Sequence, residues 1–326
     1  MKRRLAARVL PFDRLKLQQN FEAGEADGEG MMSMKSTCGG TRCGLGLIAA
    51  VAITLSGVLA GAGLSTAFAQ AKMTVAAPEG NAALDFDPWP GIRKELFASR
   101  DITDEATTLS LEAPVRAEDA AIVPLTIRIP KAIAGGVKKL TLVIDKNPAP
   151  IAGVFTFGAG AGLGDRVIST RVRVDMYTNI RAIMETSDGK LHMVTKYVKA
   201  AGGCSAPALK DADEALAALG KMQLKTLAVP NQSAAMREGQ VMIKHPNYSG
   251  MQMNQLTGLY IPAKYVQQMD VTRDGEIVFQ LEGGISLSED PNIRFTYGDG
   301  GTGVLEVTAK DTDGSVFKAR AAPSGS

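Results

Sequence analysis

The residue best placed to do chemistry is a cysteine in a glycine-flanked loop. Ala200-Ala201-Gly202-Gly203-Cys204-Ser205-Ala206-Pro207 follows a strand-like run and precedes a helix-like one. Gly202 and Gly203 remove backbone restriction and side-chain bulk ahead of the thiol, and loops run over protein surfaces. The working species of a cysteine is its thiolate, which nearby positive charge favours. Lys196, Lys199 and Lys210 are close enough in sequence to supply that charge. Such an arm can form a persulfide or a mixed disulfide. The competing reading is a buried small hydrophobe, since free cysteine is often buried, but Gly202, Gly203, Ser205 and Pro207 describe a loop and so an exposed, reactive thiol.

The other two cysteines, Cys38 and Cys43, fall in a leader. No charged residue occurs from Leu45 to Ala71, Lys35 and Arg42 precede the run, and it ends in Ala67-Phe68-Ala69 and Ala69-Gln70-Ala71. This is the pattern of a signal peptide over residues 1–71, with Met31, Met32 or Met34 as alternative starts. An uncleaved membrane anchor is the rival, since the run is long enough to span a bilayer. With cleavage, the expectation is a periplasmic protein free of the membrane, with Cys204 as its only thiol. An odd cysteine in an oxidising compartment points to intermolecular pairing or a reactive thiol. The formal charge of the 326 residues is +2. Eight Lys/Arg against five Asp/Glu lie in residues 1–71, leaving 28 basic and 29 acidic residues beyond. A nucleic-acid surface, which needs a clustered basic excess, is not expected.

The elements that must position the arm read as strands. Residues 109–113, 123–129, 140–145, 154–157, 168–175, 180–185 and 191–199 suit β structure. Val172 and Val174 alternate with Arg171, Arg173 and Asp175. About seven short strands in roughly 100 residues is the pattern of an immunoglobulin-like sandwich. A second set occupies 240–244, 266–272, 276–281, 293–297, 304–309 and 316–320. Asp188-Gly189, Asp274-Gly275 and Asp313-Gly314 mark hairpins. A short helix is expected over 92–98 and another over 211–222, where Leu216 and Leu219 share a face. The expected fold is all-β: two immunoglobulin-like β-sandwich domains, 72–204 and 237–322, joined by a linker with a short helix over 205–236.

Other motifs have plainer readings. Gly158 to Gly164 is glycine-rich but lacks the lysine and hydroxyl residue of a phosphate loop, so it reads as a strand connection. Asp311-Thr312-Asp313-Gly314 has no downstream ligand set for calcium. Met251 and Met253, with Met242, Met269 and His245, could bind a soft metal such as Cu(I), although methionines more often fill cores. His192 lies mid-strand. Trp89 reads as cover for a core edge.

A β-domain ending in Gly202-Gly203-Cys204 resembles SoxY, the sulfur-carrying subunit of periplasmic thiosulfate oxidation. The second domain resembles SoxZ through Lys244-His245-Pro246, Gly250, Gly258, Ile261-Pro262-Ala263-Lys264-Tyr265-Val266 and Asp290-Pro291-Asn292-Ile293-Arg294-Phe295. Both in one exported chain resemble the fused SoxYZ-like carriers associated with quinoprotein (PQQ-dependent) alcohol dehydrogenases. The resemblance implies a non-enzymatic carrier with no separate cofactor, a sulfur species bound covalently to Cys204, and periplasmic redox or sulfur-metabolism proteins as partners. Ser205-Ala206-Pro207 stands where SoxY has two trailing glycines, and here the chain continues, so the arm is tethered at both ends. From Lys199, extended chain would carry Cys204 about 15–18 Å. Two other functions fit the residues: a docking or accessory module for a quinoprotein dehydrogenase, and a copper-handling protein.

Overall fold

A computed structural model describes residues 86–104, 107–207, 212–228, 236–298 and 303–322. The expected leader lies outside the described residues. Among those described, no helix is long and apolar enough to cross a membrane.

The fold is all-β, as expected. The first half contains β1 (Ile102–Asp104), β2 (Ser110–Glu112), β3 (Val123–Ile129), β4 (Val137–Ile144), β5 (Ile151–Phe157), β6 (Arg166–Val172), β7 (Thr178–Thr186) and β8 (Leu191–Val198). The second contains β9 (Met222–Ala228), β10 (Met236–Ile243), β11 (Val266–Arg273), β12 (Glu276–Gly283), β13 (Asn292–Gly298), β14 (Leu305–Asp311) and β15 (Val316–Ala321). Helix α1 covers Trp89–Phe97, α2 is the single turn Lys131–Ala134, and α3 covers Ala212–Ala218.

Side-chain alternation explains most strands. β3 and β14 bury every second residue, the pattern of a sheet with one face on the core. The apolar run at the end of β4 is buried throughout because its outer face is covered too. Val143, Ile183, Leu191 and Met193 pack there against Trp89, Ile92 and Leu96 of α1. Trp89 thus covers a core edge, with the Arg181 guanidinium 4.3 Å from its ring centroid. The Asp-Gly hairpins form where expected: Asp274 and Gly275 both take positive φ, as do Gly189 and Gly314.

The two sandwiches are joined edge to edge. One sheet of nine strands runs β1-β8-β7-β4-β5-β12-β11-β14-β15, and the other of six runs β2-β3-β6-β13-β10-β9. β5 and β12 pair antiparallel from Gly153↔Gly283 to Phe157↔Phe279. β6 and β13 pair only at Ser169↔Arg294 and Ile168↔Phe295. The core is correspondingly continuous. Phe155 of the first half meets Phe279 at 5.5 Å between centroids, and Phe279 meets Phe295 at 5.1 Å, both edge to face.

Residues 205–236 are more than a linker. After α3, which stops before Gly220 at φ 78, β9 pairs with β10 from Arg237↔Ala228 to Ile243↔Met222. Met222 and Leu224 pack on the core, so Met222–Ala228 is an edge strand of the second half.

A seam built this way predicts one unfolding transition. Replacing buried Phe279 by alanine is expected to cost about 3–5 kcal/mol, lowering the urea midpoint of the whole protein while leaving a single cooperative step. Two separated transitions would show that the halves fold independently.

Candidate functional site

The Gly-Gly-Cys arm begins where β8 ends. Its first surprise is burial: Cys204 is 0% exposed. The expectation of an exposed thiol is corrected here, and the reason is long-range packing. Gly202 donates its N–H to the Asp175 carbonyl at 2.8 Å, and Gly203 donates to the Val174 carbonyl at 3.0 Å. These two bonds fold the arm back against the segment that follows β6.

The glycines serve two different needs. Gly202 takes φ 78 and has open space around it, so it is needed for its conformation. Gly203 is needed for close approach. A Cβ there would lie 2.1 Å from the Ala120 carbonyl oxygen and 2.7 Å from that of Val174. Flexibility is not what this pair supplies in the docked arm.

The second half holds the arm from the other side. The Ser249 hydroxyl donates to the Cys204 carbonyl, and the Gln252 amide donates to the Ala206 carbonyl at 3.0 Å. Both side chains are buried, and Ser249 N–H binds the Gln252 side-chain oxygen at 3.1 Å. The loop that carries them is the SoxZ-like motif. Lys244 pairs with Asp290 at 2.8 Å, and His245 donates its backbone N–H to the same carboxylate at 3.0 Å. The His245 Nδ1 accepts the Asn247 N–H at 3.0 Å. Burial pushes the His245 pKa down, with the Asp311 charge opposing. The neutral ring therefore carries its proton on Nε2, 3.6 Å from the Asp311 carboxylate. Ile261 donates its N–H to the Gln252 carbonyl at 2.8 Å, bracing the residue that grips the arm. Gly258 takes φ 68 at an exposed turn and Pro262 is exposed; neither touches the arm.

The cation at the thiol is not one of the expected lysines. Lys196 and Lys199 are exposed, and Lys210 lies outside the described residues. Arg173 supplies the charge instead. It is 1% exposed and reaches the Gly203 carbonyl at 3.4 Å and the Pro246 and Asn247 carbonyls at 3.5 and 3.4 Å. These are long contacts, but together they tie first half, arm and second half to one guanidinium. Its backbone N–H donates to the Ser286 carbonyl at 2.7 Å. Its own carbonyl accepts from Asn147 at 2.8 Å. The alternating pattern placed Arg173 on the outer face with Arg171. The strand ends at Val172, the alternation stops with it, and Arg173 turns inward.

Burial is the largest influence on the Cys204 thiol, followed by the Asp175 charge; both raise its pKa, and Arg173 opposes them. The thiol is pushed up to about 12. In this geometry it is neutral and shielded, so the docked arm stores the thiol rather than presenting it.

The remaining candidates disperse. Met269 and His245 are buried, while Met253 is about half exposed. Asp311 caps Ser315 N–H at 2.7 Å in a hairpin. Gly158 lies against Ile277, its absent Cβ only 2.5 Å from that carbonyl, which makes the glycine-rich stretch a close strand connection.

Residues 93–204 match the family Sulfur oxidation protein SoxY, and residues 228–322 match Sulphur oxidation protein SoxZ. The first region ends on Cys204 itself, and the second begins at residue 228 within β9. Among solved structures, the sulfur carrier protein SoxY from Chlorobium limicola f thiosulfatophilum is 23% identical. That alignment covers 35% of this chain and 91% of that one, with a TM-score of 0.28. A beta-glycosidase from Bacteroides vulgatus aligns at 11% identity over 66% of this chain and 24% of its own, with a TM-score of 0.19. No curated protein matches the chain. With both family regions present in N-to-C order in one polypeptide, this chain is a fused SoxYZ-like protein.

Proposed function

We propose that this protein is a periplasmic covalent carrier of a sulfur-containing group on Cys204, acting with other proteins rather than as an enzyme, and serving a quinoprotein alcohol dehydrogenase system. One observation carries the reading. A SoxY-type region ends on Gly-Gly-Cys, and that tripeptide sits against the SoxZ-type loop of the same chain. The periplasmic location rests on the leader, and the dehydrogenase link on the sequence resemblance.

Loading follows thiol–disulfide exchange. With the arm released, the Cys204 thiolate attacks one sulfur of a donor's disulfide-type bond. A bond forms between Cys204 Sγ and that sulfur, the donor bond breaks, and the departing thiolate takes the electron pair. The proton lost by Cys204 ends on the departing thiol. No net oxidation occurs, so the chain needs no redox cofactor of its own. This reading requires a release step, because the docked thiol is buried and its pKa is raised. The side-chain bonds from Ser249 and Gln252 and the backbone bonds of Gly202 and Gly203 are what must part.

Burial also favours a second reading, in which Cys204 only fills space and the chain docks non-covalently to a dehydrogenase. Intact mass spectrometry of natively exported protein separates them. The expected result is a mass increment of sulfur, sulfonate or thiosulfonate that maps to Cys204 and vanishes in Cys204→Ser, together with biological activity. An unmodified thiol under all growth conditions, with activity kept in Cys204→Ser, would leave the docking reading standing.

A further inference from the structure

The seam between the halves is only two residue pairs wide in the six-stranded sheet, at Ser169↔Arg294 and Ile168↔Phe295. Beyond it β6 and β13 part. The chain ahead of β13 bulges outward through Glu289 and Asp290 and rejoins β6, with Ser288 N–H on the Arg171 carbonyl at 3.2 Å and Leu287 bridging to Val172. Beside this bulge lies a cleft of about 430 Å³, within the range of small-ligand sites. Ile122 and Arg171 line it from the first half. Met242, Ile243 and Lys244 line it from β10 and its end, and Lys221 from the turn before β9.

Its charges are unequally committed. Asp290 holds Lys244 at 2.8 Å and the His245 backbone N–H at 3.0 Å. Glu289 is buried, and its charge acts on Arg173. Arg171 and Lys221, by contrast, make no ion pair or side-chain hydrogen bond among the described residues. Their two positive charges face the same cleft as the partly exposed apolar side chains of Ile122 and Met242. Cations over an apolar wall suit a ligand that is anionic at one end and apolar at the other. Arginine in particular takes a carboxylate through two parallel N–H bonds.

We propose that this cleft binds a small organic carboxylate, with its charge on Arg171 and Lys221 and its apolar body on Ile122 and Met242. The site is separate from the thiol, and the inference stands independently of the carrier role of Cys204.

Isothermal titration of the exported protein with benzoate and with hexanoate tests it. Benzyl alcohol serves as the neutral counterpart, and sulfate as the inorganic one. At least one carboxylate is expected to bind saturably, about tenfold more weakly in Arg171→Gln and in Lys221→Gln. Lys221 is exposed, so its replacement leaves the fold intact; for Arg171→Gln an unchanged melting temperature checks the same. Saturable binding by neither carboxylate would overturn the inference. So would binding that both substitutions leave unchanged, or benzyl alcohol or sulfate binding as tightly as the carboxylates.

Discussion

At pH 8 the Cys204 thiol of the native protein is expected to react with iodoacetamide about a thousandfold more slowly than the same cysteine in the urea-unfolded chain, and Gly203→Ala is expected to recover most of that difference. The first figure follows from the thiolate population. A thiol pushed up to about 12 is ionised about a thousandfold less at pH 8 than one at the ordinary value of 9, and only the thiolate reacts. Burial adds to the protection. The sign for stability runs the same way. The folded state keeps the proton that the unfolded chain gives up near pH 9. The stability from burying the neutral thiol is therefore fully present below pH 9 and is lost as pH rises from 9 towards 12.

The substitution is informative because Gly203 meets backbone rather than side chains. Its added Cβ would sit 2.1 Å from the Ala120 oxygen, 2.6 Å from the Ala120 carbonyl carbon and 2.7 Å from the Val174 oxygen. None of these is the end of a flexible side chain, so the turn must lift. Lifting breaks the bonds to Ser249 and Gln252 and returns the thiol to water. Alkylation at Cys204, followed by peptide mass spectrometry, should then rise at least a hundredfold, with the midpoint of its pH profile near that of a free thiol. Gly202→Ala is the contrasting variant. It meets open space, and its strain at φ 78 is about 1–2 kcal/mol, so it should expose the thiol far less. Equal, slow alkylation in wild type and Gly203→Ala would show that the arm is not held by this close approach.

That contrast also shows what the sequence could and could not reveal. The hairpins at Asp188-Gly189, Asp274-Gly275 and Asp313-Gly314 were legible because the turn chemistry is local. The strands of both halves were legible because one buried face imposes alternation. β9 carried the same signal, with Met222 and Leu224 alternating with Gln223 and Lys225. It was hidden by a helical pattern running into it and by reading the stretch between two domains as connection. The position of the arm was not legible. Gly-Gly before a cysteine is compatible with a mobile loop and with a tight turn pressed on another backbone. The choice is made by Ala120, more than eighty positions upstream, and by Ser249 and Gln252, more than forty downstream. Arg173 was misplaced for a related reason. Alternation predicts a face only while the strand lasts, and β6 stops one residue before it. The SoxZ-like motif was legible as a string, but its contact with the arm needed the edge-to-edge joining of the sheets.

Arg173→Met is expected to destabilise the protein by about 3 kcal/mol, the scale seen when one member of a buried, charged hydrogen-bonded cluster is removed. The methionine keeps an unbranched apolar stem but none of the donors that reach the Gly203, Pro246 and Asn247 carbonyls. It also removes the positive charge that acts on Glu289 and Asp119 and that opposes Asp175 at the thiol. In a unit of this size the loss corresponds to a fall in melting temperature of roughly 6–12 °C. Arg173→Lys should recover only part of it, since an ammonium group cannot serve carbonyls lying in three directions as a planar fork does. The route of the effect can be separated by combining substitutions. Were Arg173 stabilising only through the arm, Gly203→Ala would already have removed its contribution, and the double variant would be no less stable than Gly203→Ala alone. Because Arg173 also bridges to Pro246 and Asn247 of the second half, most of its effect should persist in the double variant, with a coupling of about 1 kcal/mol assignable to the arm. Urea unfolding of the four proteins measures that coupling. A loss that disappears entirely on the Gly203→Ala background would place Arg173 with the arm alone, and a loss below about 0.5 kcal/mol in the single variant would remove it as the tie between the two halves.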